Sequence, residues 1–279
     1  MPLAPDNNKS SPPLNGPVTT FAHPTDSRFV FALFVPERPP DGSPPGLLVT
    51  VHDSTRNHLT CTERFAAFAQ THGLVVLAPL FPRNVLGDGQ VDGYKFLREQ
   101  DLRYDLLLHG MIDEAARRTG CESAHFFLQG YSGGAQFVHR YLLLHPDRLR
   151  AVSVGAPGMV TLPDERVDWW AGVRDLENVF GLPFNLAQLR NVPIQLVVSD
   201  GDTETWEIRE QPPSAHWPVE ADRLRSNRVD RLRVLHRALL GVGANTQLTM
   251  LQGLLHGQGP GPAAALAQQF FTEQLAVQA

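Results

Sequence analysis

Ser132 lies in Gly130-Tyr131-Ser132-Gly133-Gly134, with glycine two positions before it and at both positions after it. A serine hydroxyl is a weak nucleophile until a base takes its proton and an acid orients that base. Glycines beside the serine let neighbouring backbone approach with no Cβ in the way, as a sharp turn carrying a strained serine requires. The acids that follow include Asp200 and Asp202 in Ser199-Asp200-Gly201-Asp202-Thr203. Asp202 is the first choice and Asp200 the second. Either alternatively serves as a turn aspartate capping local N–H groups. Three histidines come later, His216, His236 and His256. His236 sits inside a helical stretch and reads as a packing or surface residue. His216 lies in a Pro-flanked loop and reads as structural or substrate-facing. His256 sits in Gly253-Leu254-Leu255-His256-Gly257, beyond the last strand-like run, and is the expected base. The chemistry expected of Ser132, His256 and Asp202 is attack on an acyl carbonyl.

These residues need elements that deliver them to one place. Gly46–Val51 is a continuous apolar run, which fits a strand buried on both faces. Helical spacing follows over Thr62 to His72, then a buried strand over Leu74 to Ala78. After a loop of about 20 residues, Asp101 to Arg118 reads as an amphipathic helix stopped by Gly120. Ala124 to Gln129 is a strand and Gly133 to His145 a helix, so Ser132 occupies a strand–turn–helix junction. Further strands are expected over Leu149–Val154, Val192–Val198 and Thr246–Gln252, with helices over Ala221–Leu240 and Pro262–Ala276. Alternation of this kind builds a mostly parallel sheet covered by helices on both faces. Residues 18–36 hold two apolar runs around a turn and predict an antiparallel hairpin at its edge. Residues 1–17, rich in Pro, Asn and Ser, read as a flexible arm before one domain over 18–279. Residues 156–191 separate two strands by more than one helix needs and carry Trp169, Trp170, Phe180 and Phe184. This stretch is expected to be a short lid or pocket wall, or else a packed excursion.

A developing oxyanion needs N–H donors. Gly133 supplies one at a helix N-terminus. The second is expected from Ser54 in Val51-His52-Asp53-Ser54-Thr55-Arg56-Asn57, the loop after an early strand. Taken together, the glycine-flanked serine, this loop, the late aspartate and the last-strand histidine resemble the α/β-hydrolase superfamily over about residues 18–276. The loop itself is similar to the His-Gly-Ser-x-Arg-Asn loop of bacterial esterases related to polyhydroxybutyrate depolymerases. Asp53 stands where that pattern has glycine, and a carboxylate aimed at the oxyanion would oppose catalysis. The resemblance implies an α/β-hydrolase fold and a serine esterase with an acyl-enzyme intermediate. Asp53, Tyr131, Trp169 and Trp170 are expected along the substrate.

The bulk properties set bounds. The chain has 279 residues, 42% hydrophobic and 19% charged, with a net charge of −5 and a pI near 6.1. That favours a globular protein acting on a small acyl compound, with neither nucleic acid nor a membrane surface as partner. There is no secretory leader pattern and no apolar run of membrane-spanning length, so the cytoplasm is the expected location. Cys61 and Cys121 read as thiols. No cofactor or metal is expected. Asp88-x-Gln90-x-Asp92-Gly93, with Glu99 twelfth, approximates a calcium loop, but Gln90, Lys95 and Pro82 argue for a solvated loop instead. His52, Asp53 and His58 fit no standard metal spacing. The arginine-rich stretch Arg223 to Arg237 reads as an amphipathic helix with a basic solvent face. Two other functions remain open from sequence. The same three residues can transfer an acyl group, release a thioester or cleave a carbon–carbon bond; or the scaffold can serve as a non-catalytic small-molecule binder. Oligomeric state is not legible.

Overall fold

The computed structural model describes residues 18–37, 42–205 and 227–277. The expected arm, His216 and the first part of the arginine-rich stretch lie outside the described residues. An eight-stranded sheet forms the centre. Strands β1 (Thr19–Ala22) and β2 (Val30–Phe34) form an antiparallel hairpin, and β2 pairs antiparallel with β4 (Leu74–Leu80). Next come β3 (Gly46–Val51), β7 (Phe126–Tyr131), β8 (Leu149–Gly155), β9 (Ile194–Ser199) and β10 (Thr246–Leu251), all parallel. The remaining strands, β5 (Arg98–Glu99) and β6 (Leu102–Arg103), make a separate two-stranded ribbon. Strands buried on both faces must be covered on both. Helices α1 (His58–His72) and α7 (Pro260–Ala276) pack a core that includes Phe65, Phe127 and Phe271. On the other face α2 (Tyr104–Thr119), α3 (Gly133–Leu144) and α6 (Arg228–Gly241) enclose a larger core with Phe81, Phe137 and Tyr141. No helix of the described residues is long and apolar enough to cross a membrane.

Gly73 and Gly120 end α1 and α2 in the left-handed conformation that favours glycine. α1 begins at His58, four residues before the periodicity in the sequence sets in, because Leu59 and Thr60 in its first turn are exposed and leave no apolar stripe there. Two short helices, α4 (Leu176–Phe180) and α5 (Leu186–Asn191), lie within the long connection between β8 and β9.

The Asp88–Glu99 stretch departs from a solvated loop. Gly93–Phe96 form a buried helical turn, and Glu99 is buried, accepting the Tyr104 hydroxyl at 2.7 Å. Asp92 pairs with Lys95 at 2.7 Å. Tyr94 and Phe96 pull this turn into the core, which polar neighbours in the sequence conceal. The arginine-rich helix also departs from expectation. Arg228 and Arg231 are 2% and 4% exposed, so part of its basic character faces inward.

Candidate active site

Ser132 follows β7 and caps α3 with φ 53° and ψ −114°, a conformation costly for a residue with a Cβ. The turn survives because nothing crowds it. A Cβ on Gly130 would stand 2.5 Å from the Gly134 backbone, and one on Gly134 would stand 2.1 Å from the Val51 carbonyl oxygen. β7 thus delivers the serine to the C-terminal edge of the parallel strands. The loops after β9 and β10 reach the same edge.

His256 Nε2 lies 2.9 Å from Ser132 Oγ, and His256 Nδ1 lies 2.6 Å from Asp202 Oδ2. Asp202 is fully buried and His256 is partly exposed. Asp200 points elsewhere: its Oδ1 accepts the Gly253 N–H at 2.6 Å. Ser199 Oγ accepts the Leu254 N–H at 2.9 Å, so the two loops are stitched together beneath the histidine. Tyr131 stacks on the His256 ring, with centroids 5.2 Å apart, and donates its hydroxyl to the His256 carbonyl at 3.0 Å. His236 lies on α6.

The loop after β3 is built around its own side chains. His52 Nδ1 is 2.7 Å from the Asp53 carbonyl, and His52 Nε2 accepts the Phe81 N–H at 3.0 Å. This pins the loop to the end of β4 and requires a neutral ring with its proton on Nδ1. Burial pushes the His52 pKa down to about 3. Asp53 Oδ1 accepts from Thr55 N–H at 2.7 Å and Thr55 Oγ1 at 2.5 Å, so its carboxylate is spent on its own turn. Ser54 is adjacent to Gly133, since a Cβ on Gly133 would lie 3.0 Å from Ser54 Oγ. Neither the Ser54 nor the Gly133 N–H meets a protein acceptor among the described residues.

A cleft of about 860 Å³ opens over Ser132 and His256. Asp53, Ser54 and Tyr131 line it, together with Gln136 and Arg228. Trp169 and Trp170 do not. They stand with Phe96 around the buried Arg140, whose Cζ is 4.4 Å from the Phe96 centroid, 5.5 Å from Trp170 and 5.9 Å from Trp169. A buried guanidinium needs π faces and carbonyls, and these aromatics supply the former. Their placement on the substrate is therefore corrected. Arg228 is a site residue that sequence reasoning missed: its Nη1 donates to Asp202 Oδ1 at 3.1 Å. Arg56, Arg64, Arg83 and Lys95 also line the cleft. Among the described residues, no cluster of three or more His, Cys, Asp or Glu side chains is arranged to hold a metal ion.

No family model matches the sequence, and neither does the sequence of any curated protein. Solved structures do share its fold. A poly(3-hydroxybutyrate) depolymerase from Bordetella parapertussis superposes with a TM-score of 0.69 at 19% identity, over 92% of this chain and 88% of the other. Poly(aspartic acid) hydrolase-1 from Sphingomonas sp. KT-1 gives 0.67 at 17% identity, over 92% and 98%. An S-formylglutathione hydrolase from Agrobacterium tumefaciens gives 0.61 at 15% identity, over 95% and 96%. These likenesses, with the mostly parallel sheet, establish an α/β-hydrolase fold.

Proposed function

We propose that the chain is a serine hydrolase that cleaves an ester-like acyl bond. The observation that carries this reading is the unbroken line of contacts from Ser132 Oγ through His256 to the buried Asp202, at the floor of an open cleft. In the proposed mechanism His256 Nε2 takes the Ser132 proton as the oxygen attacks the carbonyl carbon. Asp202 holds the Nδ1–H tautomer and stabilises the imidazolium. The Ser54 and Gly133 N–H groups receive the oxyanion, and His256 then returns the proton to the leaving group. Water, activated by the same imidazole, attacks the acyl-enzyme, and Ser132 leaves with its proton restored. Asp53 Oδ1 is held in its own turn by Thr55. The depolymerase and hydrolases that share the fold support the reaction class without naming a substrate.

The test is labelling with a fluorophosphonate probe beside hydrolysis of para-nitrophenyl acyl esters. Wild-type protein labels and turns over, and Ser132→Ala and His256→Ala lose both. A folded wild type that neither labels nor hydrolyses overturns the reading.

A further inference from the structure

Among the described residues, the walls of the cleft carry an excess of positive charge that the chemistry of Ser132 does not use. Among the described residues, five cations and three carboxylates line it. Lys95 is paired with Asp92, and Arg228 with Asp202 beneath the floor. Arg56, Arg64 and Arg83 make no ion pair among the described residues. Arg56 Nη1 and Arg83 Nη2 each donate to the same oxygen, the Ser54 carbonyl, both at 2.8 Å. Two guanidinium groups thus converge on one peptide beside the reactive serine, although like charges repel. Arg56 is fixed further by the Phe81 and Val91 carbonyls, which leaves it a held charge with little donor capacity to spare. Arg83 is exposed and, among the described residues, donates through Nη2 alone. Arg64, half-buried on α1, donates its guanidinium to no described residue. A cleft whose cations outnumber its carboxylates among the described residues favours an anionic ligand.

We propose that the substrate is an ester bearing a free carboxylate, bound by Arg64 and Arg83 against the standing charge of Arg56. This rests on the hydrolase reading above. The modest excess of cations over carboxylates suits a monoanion better than a phosphate dianion. Arginine's planar fork matches a carboxylate in geometry as well as charge.

The experiment compares mono-para-nitrophenyl glutarate with its neutral methyl-capped analogue, each rate corrected for uncatalysed hydrolysis, which the free carboxylate of the monoester accelerates. For wild type, kcat/KM favours the anionic ester by about tenfold, as a charge-assisted hydrogen bond supplies. That ratio falls with added salt. It collapses towards one in the Arg64→Gln/Arg83→Gln double variant, and the corresponding double lysine variant retains most of it. A wild-type ratio at or below one, or a ratio unchanged in the glutamine variant, overturns the proposal. If neither ester is cleaved, fluorophosphonate labelling and the simple acyl esters decide the hydrolase reading. Calorimetry with Ser132→Ala protein then judges the anion site alone. Tighter binding of the glutarate monoester than of its neutral analogue upholds the site, and equal binding overturns it.

Discussion

Arg228 Nη1 stands 3.1 Å from Asp202 Oδ1, on the carboxylate oxygen opposite the one that faces His256. The side chains are 3% and 0% exposed, so an ion pair sits under the histidine. Burying a lone carboxylate is expensive, and removing one partner of such a pair leaves an uncompensated charge. Arg228→Gln is expected to lower stability by about 3 kcal/mol and to cut kcat/KM by roughly tenfold to a hundredfold. Urea unfolding and steady-state kinetics check both parts. Arg228→Lys restores the charge and recovers part of each loss. A glutamine variant with unchanged kcat/KM removes Arg228 from any role in positioning Asp202.

Tyr131 holds the histidine loop from below. Tyr131→Phe keeps the stacked ring and deletes the hydrogen bond to the His256 carbonyl, which is 3.0 Å long. The expected cost is about 1 kcal/mol of stability. Activity should fall mainly in kcat, because the loop that carries the base loosens while the cleft keeps its shape. A change confined to KM would show that the hydroxyl serves substrate binding instead.

The fold was legible because its signals are local. Gly46–Val51 is apolar throughout and is a central strand, and the glycines around Ser132 are required by contacts of 2.1 to 2.5 Å that any Cβ would make. The proximity of Ser132, Asp202 and His256 follows from their places after the C-terminal ends of parallel strands. What the sequence hid depends on tertiary partners. Arg228 and Arg231 lie one turn apart beside Val229 and Leu232, and partners distant in sequence, Asp202 and the Gly158 carbonyl among them, draw them inward. Trp169 and Trp170 look like a pocket wall until Arg140, about 30 residues earlier, is found between them and Phe96.

Asp200 and Asp202 are separated by one glycine yet predict different outcomes. Asp202→Asn keeps the shape but cannot accept the Nδ1 proton in the same way, and kcat is expected to fall by about 10³ to 10⁴. Asp200→Asn retains an oxygen for the Gly253 N–H, now held at 2.6 Å, and its effect should stay within about fivefold. Comparable losses in both variants would show that the acid role is shared or misassigned.

The stability of the fold should decline in mild acid, on account of histidines that do no chemistry. His139 is buried, with Nδ1 2.7 Å from the Ala135 carbonyl and Nε2 accepting the Thr161 N–H at 2.9 Å. Burial pushes its pKa down to about 3, as it does for His52. His109 is lowered to about 4, first by burial and then by repulsion from His145. In the unfolded chain each ring takes a proton near the ordinary value of about 6.5. As the pH falls below that value, the unfolded state binds protons that the native state refuses, so stability drops until the folded pKa is reached. At pH 5 each of the three rings costs about 2 kcal/mol relative to neutral pH. Asp105, lowered to about 2 by His145 and Arg103 despite its burial, loses its contribution only below the ordinary carboxylate range and leaves this window unaffected. Urea midpoints measured between pH 7 and pH 5 should therefore fall steeply. His139→Gln can keep both hydrogen bonds without the titration, and should flatten the slope by about a third if the three rings contribute alike. A midpoint that does not change over that range would mean that these rings are protonated without cost, against the neutral tautomers that their partners require.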